Sequence, residues 1–286
     1  MNKIQIQGLV FSGIAISVGL IYTLFAPASS VLCLSILATL IFLLGVPHGA
    51  LDPIFAQKLL SLKGWKDWLK FVIIYVALSA AVACIWWQLP LVFMNGFLLL
   101  SVIHFSRDLN DGVPKITRFL YGGSMIVLPT FFHFREMQTL FSLILNEEAG
   151  LQVTNFLHLL VWPWLLASLI SFYFEFMKEW LVGLELIAIL FLATLAPPLI
   201  TFTIYFCGMH SLRHILRTQA YADVSFIKLG LISLAPMTGL ALITAFAWFY
   251  LPELPDYERL LRFLFVGLAA LTVPHMLLID RVRYQS

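Results

Sequence analysis

Apolar runs of about 20 residues recur along almost the whole chain, with hardly a charge inside them. A helix that long matches the hydrocarbon thickness of a bilayer. Backbone polar groups in lipid must satisfy one another, so such runs fold as helices packed into a bundle. Composition agrees: of 286 residues, 61% are hydrophobic and 11% charged, against about 25% charged in a soluble domain. The expectation is an all-α, polytopic transmembrane helix bundle, a single domain over 1–286. The net charge of +2 comes with no basic tail or arm, so no nucleic-acid partner is implied. Cys33, Cys84 and Cys207 form no Cys-x-x-Cys pair and read as small buried hydrophobes.

The runs divide into about ten segments, with eight to ten true spans expected. They lie at about 8–26, 30–48, 69–88, 90–106, 117–134, 151–175, 179–196, 199–217, 226–251 and 259–279. A second run follows the first almost at once, which favours a retained helix over a signal peptide. Residues 135–150 read as a loop. With alternating connections, fourteen of the seventeen Lys and Arg fall on one side. Only Arg135, Arg259 and Arg262 fall on the other. The positive-inside rule then predicts a multi-pass protein of the cell membrane with both termini cytoplasmic. In that topology His48, His104, His210, His214 and His275 share the cytoplasmic half, while His133 and His158 lie toward the opposite side.

Ionisable groups inside a membrane segment are costly and mark functional sites. His210 and His214 are four apart, which places both rings on one helix face. Alone, the pair reads more readily as interfacial histidines beside Arg213 and Arg217. His48 in Pro-His-Gly and His104 in Ile-His-Phe, each at the end of an apolar run, shift the balance toward one shared metal. Asp52 and Asp108 each follow a histidine by four residues, so either can orient it from one turn away. Glu185 is an intramembrane acid, read as a supporting group, an arginine partner or a lipid-level residue. His275, near Asp280, is ranked as a supporting or structural residue.

Neutral imidazoles suit zinc, copper, iron or nickel. The His-Glu-x-x-His signature of zinc proteases is absent. A mononuclear four-histidine site with open positions remains, and iron with oxygen chemistry is its natural use. The 25 Phe, 9 Tyr and 8 Trp suit a pocket for a long hydrocarbon drawn from the bilayer.

Pro47-His48-Gly49-x-x-Asp52, His104-Phe105 with Asp108, His210-x-x-x-His214 and Pro274-His275-Met-Leu-Leu together resemble the Brp/Blh family. This is the family of bacterial and archaeal membrane β-carotene 15,15′-dioxygenases. The resemblance covers most of the chain, in order and in spacing. It implies Fe(2+) held by His48, His104, His210 and His214, with O2 as co-substrate. It implies cleavage of the central double bond of β-carotene to two retinals, and a functional link to a retinal-binding rhodopsin. Two other readings are a transporter or proton conductor, with the histidines and Glu185 forming a pathway, and a metal-free accessory subunit. Confinement of the histidines to one layer near helix ends favours the enzyme.

Overall fold

The computed structural model describes residues 1–25, 31–250 and 253–283, and no strand occurs among them. The chain opens with α1 (Lys3–Phe25) and α2 (Val31–Leu40). The second helix does not continue regularly. It loosens into a π-helical turn, Ile41–Gly45, then tightens into a 3-10 stretch, Val46–Leu51, before α3 (Asp52–Leu60). Pro47 has no N–H to give to an α-helical ladder, so the change of winding falls there. Next come α4 (Trp65–Gln88) and α5 (Pro90–Phe105), with Pro90 in the first turn of α5.

The middle of the chain forms α6 (Lys115–Val127), a short 3-10 turn, α7 (Phe134–Ile144), α8 (Glu147–Lys178) and α9 (Trp180–Leu195). The Asn146 side chain caps α8 by accepting the Ala149 N–H at 2.9 Å. Then α10 (Pro198–Ile204) runs into a second π-helical segment, Tyr205–Ser211, and on into α11 (Leu212–Ala222). The chain closes with α12 (Phe226–Tyr250) and α13 (Asp256–Arg283).

Among the described residues, six helices are long and apolar enough to cross a membrane: 3–25, 34–60, 65–88, 147–178, 226–249 and 256–281. Ten segments were expected. For three of the four segments outside this set the difference is one of length; the fourth, 199–217, is helical from Pro198 to Ala222 but carries His210, Arg213, His214 and Arg217 in its second half. Helices α5 and α9 have 16 residues each, or about 24 Å at the α-helical rise, short of a hydrocarbon core of about 30 Å. The segment expected at 117–134 stops as a helix at Val127, before Pro129. The stretch 135–150, expected as a loop, contains α7. Its charges misled: Met137, Phe141 and Ile144 recur at helical spacing and are buried, with Arg135 and Glu136 beside them on the wet face.

Helix α1 packs along α9. Its buried stripe is Gly8, Ser12, Ala15 and Gly19, small residues that let two apolar helices approach closely. One core joins α1, α9, α6 and the 205–211 segment; a second lies among α5, α7, α8 and α13. The outer surface stays apolar: Leu159 is 76% exposed, Ile227 78% and Trp162 67%. Large exposed apolar side chains all round a bundle mark a surface that meets lipid. The long helices and that surface make this a multi-pass membrane protein.

Candidate metal centre

The two irregular segments, 41–51 and 205–211, pack against each other. A π-helical turn carries one extra residue and re-aims the side chains beyond it, which is why such turns gather at functional sites. Here they bring His48, on the 3-10 stretch, beside His210, at the end of the π segment. The ring centres are 5.0 Å apart. His104, in the last turn of α5, comes within 4.4 Å of His210. His214 lies 5.6 Å from His48. His275, on α13, completes the group, at 5.3 Å from His48, 5.2 Å from His104 and 5.3 Å from His214. His210 and His214 thus both lie against His48. His133 and His158 lie elsewhere, bonded to Glu136 and to the Leu195 and Thr130 carbonyls.

Ring nitrogens of His48, His104 and His275 all lie within 4.8 Å of one another. His48, His104, His210 and His275 are each buried, at 7%, 7%, 3% and 2% exposure. Four buried nitrogens have no hydrogen-bond partner among the described residues: Nδ1 of His104 and Nε2 of His210, His214 and His275. Leaving a buried polar atom unsatisfied costs about 1–3 kcal/mol, so four in one place call for a ligand. Neutral imidazoles are transition-metal ligands, and the nitrogens of His48, His104 and His275 lie close enough together to hold one ion, with His210 and His214 packed beside them.

What holds the rings differs from expectation. The four-residue spacing allowed Asp52 and Asp108 to serve His48 and His104, or to be solvated acids at helix ends. Instead they reach across helices. His210 Nδ1 donates to Asp108 Oδ1 at 3.0 Å, and Tyr205 Oη donates to Asp108 Oδ2 at 2.6 Å. His275 Nδ1 donates to Asp52 Oδ1 at 2.6 Å, and Tyr75 Oη donates to Asp52 Oδ2 at 2.8 Å. The reason is local winding. The 3-10 stretch has about three residues per turn, so His48 and Asp52 no longer share a face. Helix α5 ends at Phe105, so Asp108 lies in the turn beyond it. His48 Nδ1 bonds instead to the Gly45 carbonyl at 2.5 Å and to Ser211 Oγ at 3.0 Å.

Glu185 touches none of the histidines through a hydrogen bond. It takes both arms of Arg213, at 2.6 and 3.0 Å, and the pair is buried. Arg213 also donates to the Asp108 backbone carbonyl at 3.0 Å, and Arg217 to the same oxygen at 2.8 Å. The helix that presents His210 and His214 to the centre therefore uses Arg213 and Arg217 to fix the turn carrying Asp108. Asp280 pairs with Arg107, not with His275.

The cluster forms one wall of a cavity of about 630 Å3. His48, His104, His275 and Tyr75 open onto it. Phe71, Phe97, Phe202, Phe206, Ile243 and Leu271 are among the apolar side chains around the rest. Phe206 stacks on His210 and meets His48 edge-on. The volume and lining suit one sizeable apolar guest.

A family model described as beta-carotene 15,15′-dioxygenase matches residues 39–282, a stretch that holds all five clustered histidines. A protein named beta-carotene 15,15′-dioxygenase, from uncultured marine bacterium 66A03, is 32% identical over 250 residues. That match covers 84% of this chain and 90% of the relative. No solved structure matches the chain. A match of this extent, over a buried histidine cluster beside an apolar cavity, shows that the chain belongs to the β-carotene 15,15′-dioxygenase family.

Proposed function

We propose that the chain cleaves β-carotene at its central 15,15′ double bond, using O2 and an Fe(2+) ion held by His48, His104, His210 and His214. The observation that carries this reading is a cluster of five histidines, four of them with a buried nitrogen that has no partner among the described residues, of which His48, His104 and His275 line an apolar cavity. One C=C bond and one O2 become two C=O bonds, so one C40 polyene gives two molecules of all-trans retinal. Iron supplies the redox chemistry with O2 when bound.

The chain's own residues do the rest. The aromatic and aliphatic walls take up the polyene and exclude water, so the reaction runs in a medium of low polarity. Position along the cavity decides which double bond lies beside the histidines; selectivity for the central bond is a matter of placement. Asp108 holds His210 in the Nδ1–H form and leaves Nε2 free to ligate. The Gly45 carbonyl does the same for His48. Substrate and O2 both partition into a bilayer, and a membrane-embedded cavity receives both. The skew of basic residues supports cytoplasmic termini and a centre in the cytoplasmic half of the cell membrane.

Expression in a host that accumulates β-carotene tests the reading. Loss of the orange colour with appearance of retinal is expected. His210→Ala and His214→Ala should abolish the change while the protein still inserts in the membrane. Unchanged colour with the native protein present, or full turnover by both variants, contradicts it.

A further inference from the structure

Two side-chain arms approach the histidine cluster from different helices, and they have the same build. In one, Tyr205 donates to Asp108, and Asp108 accepts from His210 Nδ1. In the other, Tyr75 donates to Asp52, and Asp52 accepts from His275 Nδ1. Each carboxylate is buried and shared between a phenol and an imidazole: Asp52 gives one oxygen to each, while His210 Nδ1 reaches both Asp108 oxygens, at 3.0 and 3.1 Å. Each imidazole ends with its Nε2 buried and without a partner. An Nδ1–H held by a carboxylate fixes the tautomer whose Nε2 carries the lone pair, which is how metal-bound histidines are oriented.

His275 is not a satisfied core histidine, since only one of its two ring nitrogens is bonded, although it is 2% exposed. It also belongs, with His48 and His104, to the set whose nitrogens lie within 4.8 Å of one another. We infer that His275 is a further ligand of the same ion, that Asp52 is its positioning residue, and that Tyr75 ties this arm to the substrate cavity. This inference rests on the iron reading above and adds to it. The two arms differ in one respect. Tyr205 is fully buried in the core, whereas Tyr75 lines the cavity. A guest in the cavity therefore touches the Tyr75 arm and not the Tyr205 arm. Filling the site with polyene should alter the surroundings of Tyr75, and through Asp52 those of His275, while leaving the Tyr205 arm untouched.

The test uses the purified full-length protein in detergent, loaded anaerobically with Fe(2+) or with Co(2+) as a spectroscopic probe. The wild type should bind one ion per chain. His275→Gly should bind at least tenfold more weakly, with altered Co(2+) visible bands, and added imidazole should restore both. Asp52→Asn keeps the ring but loses its anchor, and should weaken binding by about 10- to 100-fold. It serves as well if His275→Gly does not fold. Tyr75→Phe should keep stoichiometry, shift the Co(2+) bands slightly, and remove any further shift on adding carotenoid. Wild-type affinity and unchanged bands in His275→Gly and Asp52→Asn overturn the assignment while leaving the iron reading intact. A wild type that binds neither ion overturns the iron reading and the His275 assignment with it.

Discussion

Two of the imidazoles at the centre, His210 and His275, are each held by a carboxylate from a distant part of the chain. Asp108 is 102 positions from His210, and Asp52 is 223 from His275. Removing either carboxylate leaves a ring free to turn or change tautomer. Asp108→Asn should therefore cost about 10- to 100-fold in iron affinity, read as metal retained after dialysis against graded chelator. Tyr205→Phe keeps the carboxylate and should cost much less in the same measurement. The Arg213–Glu185 pair sits one layer further out and bears on stability. Arg213→Ala leaves Glu185 as an unpaired buried charge, worth about 3–5 kcal/mol of destabilisation. A markedly lower melting temperature in detergent is the expected readout, with Glu185→Gln producing a milder loss.

At the level of elements, the winding of the chain decides where these residues point. The π-helical segment Tyr205–Ser211 carries one residue more than an α-helix needs. Deleting Cys207 should convert it to α-helix and rotate one flank by about 100° relative to the other. His210 would then leave the centre. The expected result is a helical, membrane-inserted protein with little bound iron. Helical periodicity made His210 and His214 legible as a pair, and the polar ends of apolar runs exposed His48 and His104. Pro274-His275 was visible too, but its role depends on Asp52, which lies on another helix. Asp52 and Asp108 were legible as carboxylates four residues beyond His48 and His104, but the winding at 46–51 and the end of α5 turn them toward His275 and His210. Pro47 marks the change of winding in the sequence, but not where it sends Asp52. Apolarity alone did not reveal that α5 and α9 have only 16 residues each, and charge hid α7.

For the molecule as a whole, the bundle provides a greasy exterior and one apolar chamber that ends at the histidines. Composition announced the first, whereas the chamber emerges only when α4, α5, α10, α12 and α13 are brought together. Gly239 on α12 lines that chamber, and a side chain there would project into open space. Gly239→Phe should fill part of it and lower kcat/KM for β-carotene by at least about tenfold, given what one aromatic group can exclude. Iron content and melting temperature should hardly change, since the substitution touches neither the centre nor the packing. The account stands most directly on a single titration of purified protein, in which iron content and retinal formed from β-carotene are followed together as iron is stripped and returned. Retinal as the sole carotenoid product, two per β-carotene consumed and in proportion to iron bound, is the predicted result. Turnover that persists in iron-free protein, or iron-loaded protein that leaves β-carotene intact, would contradict it.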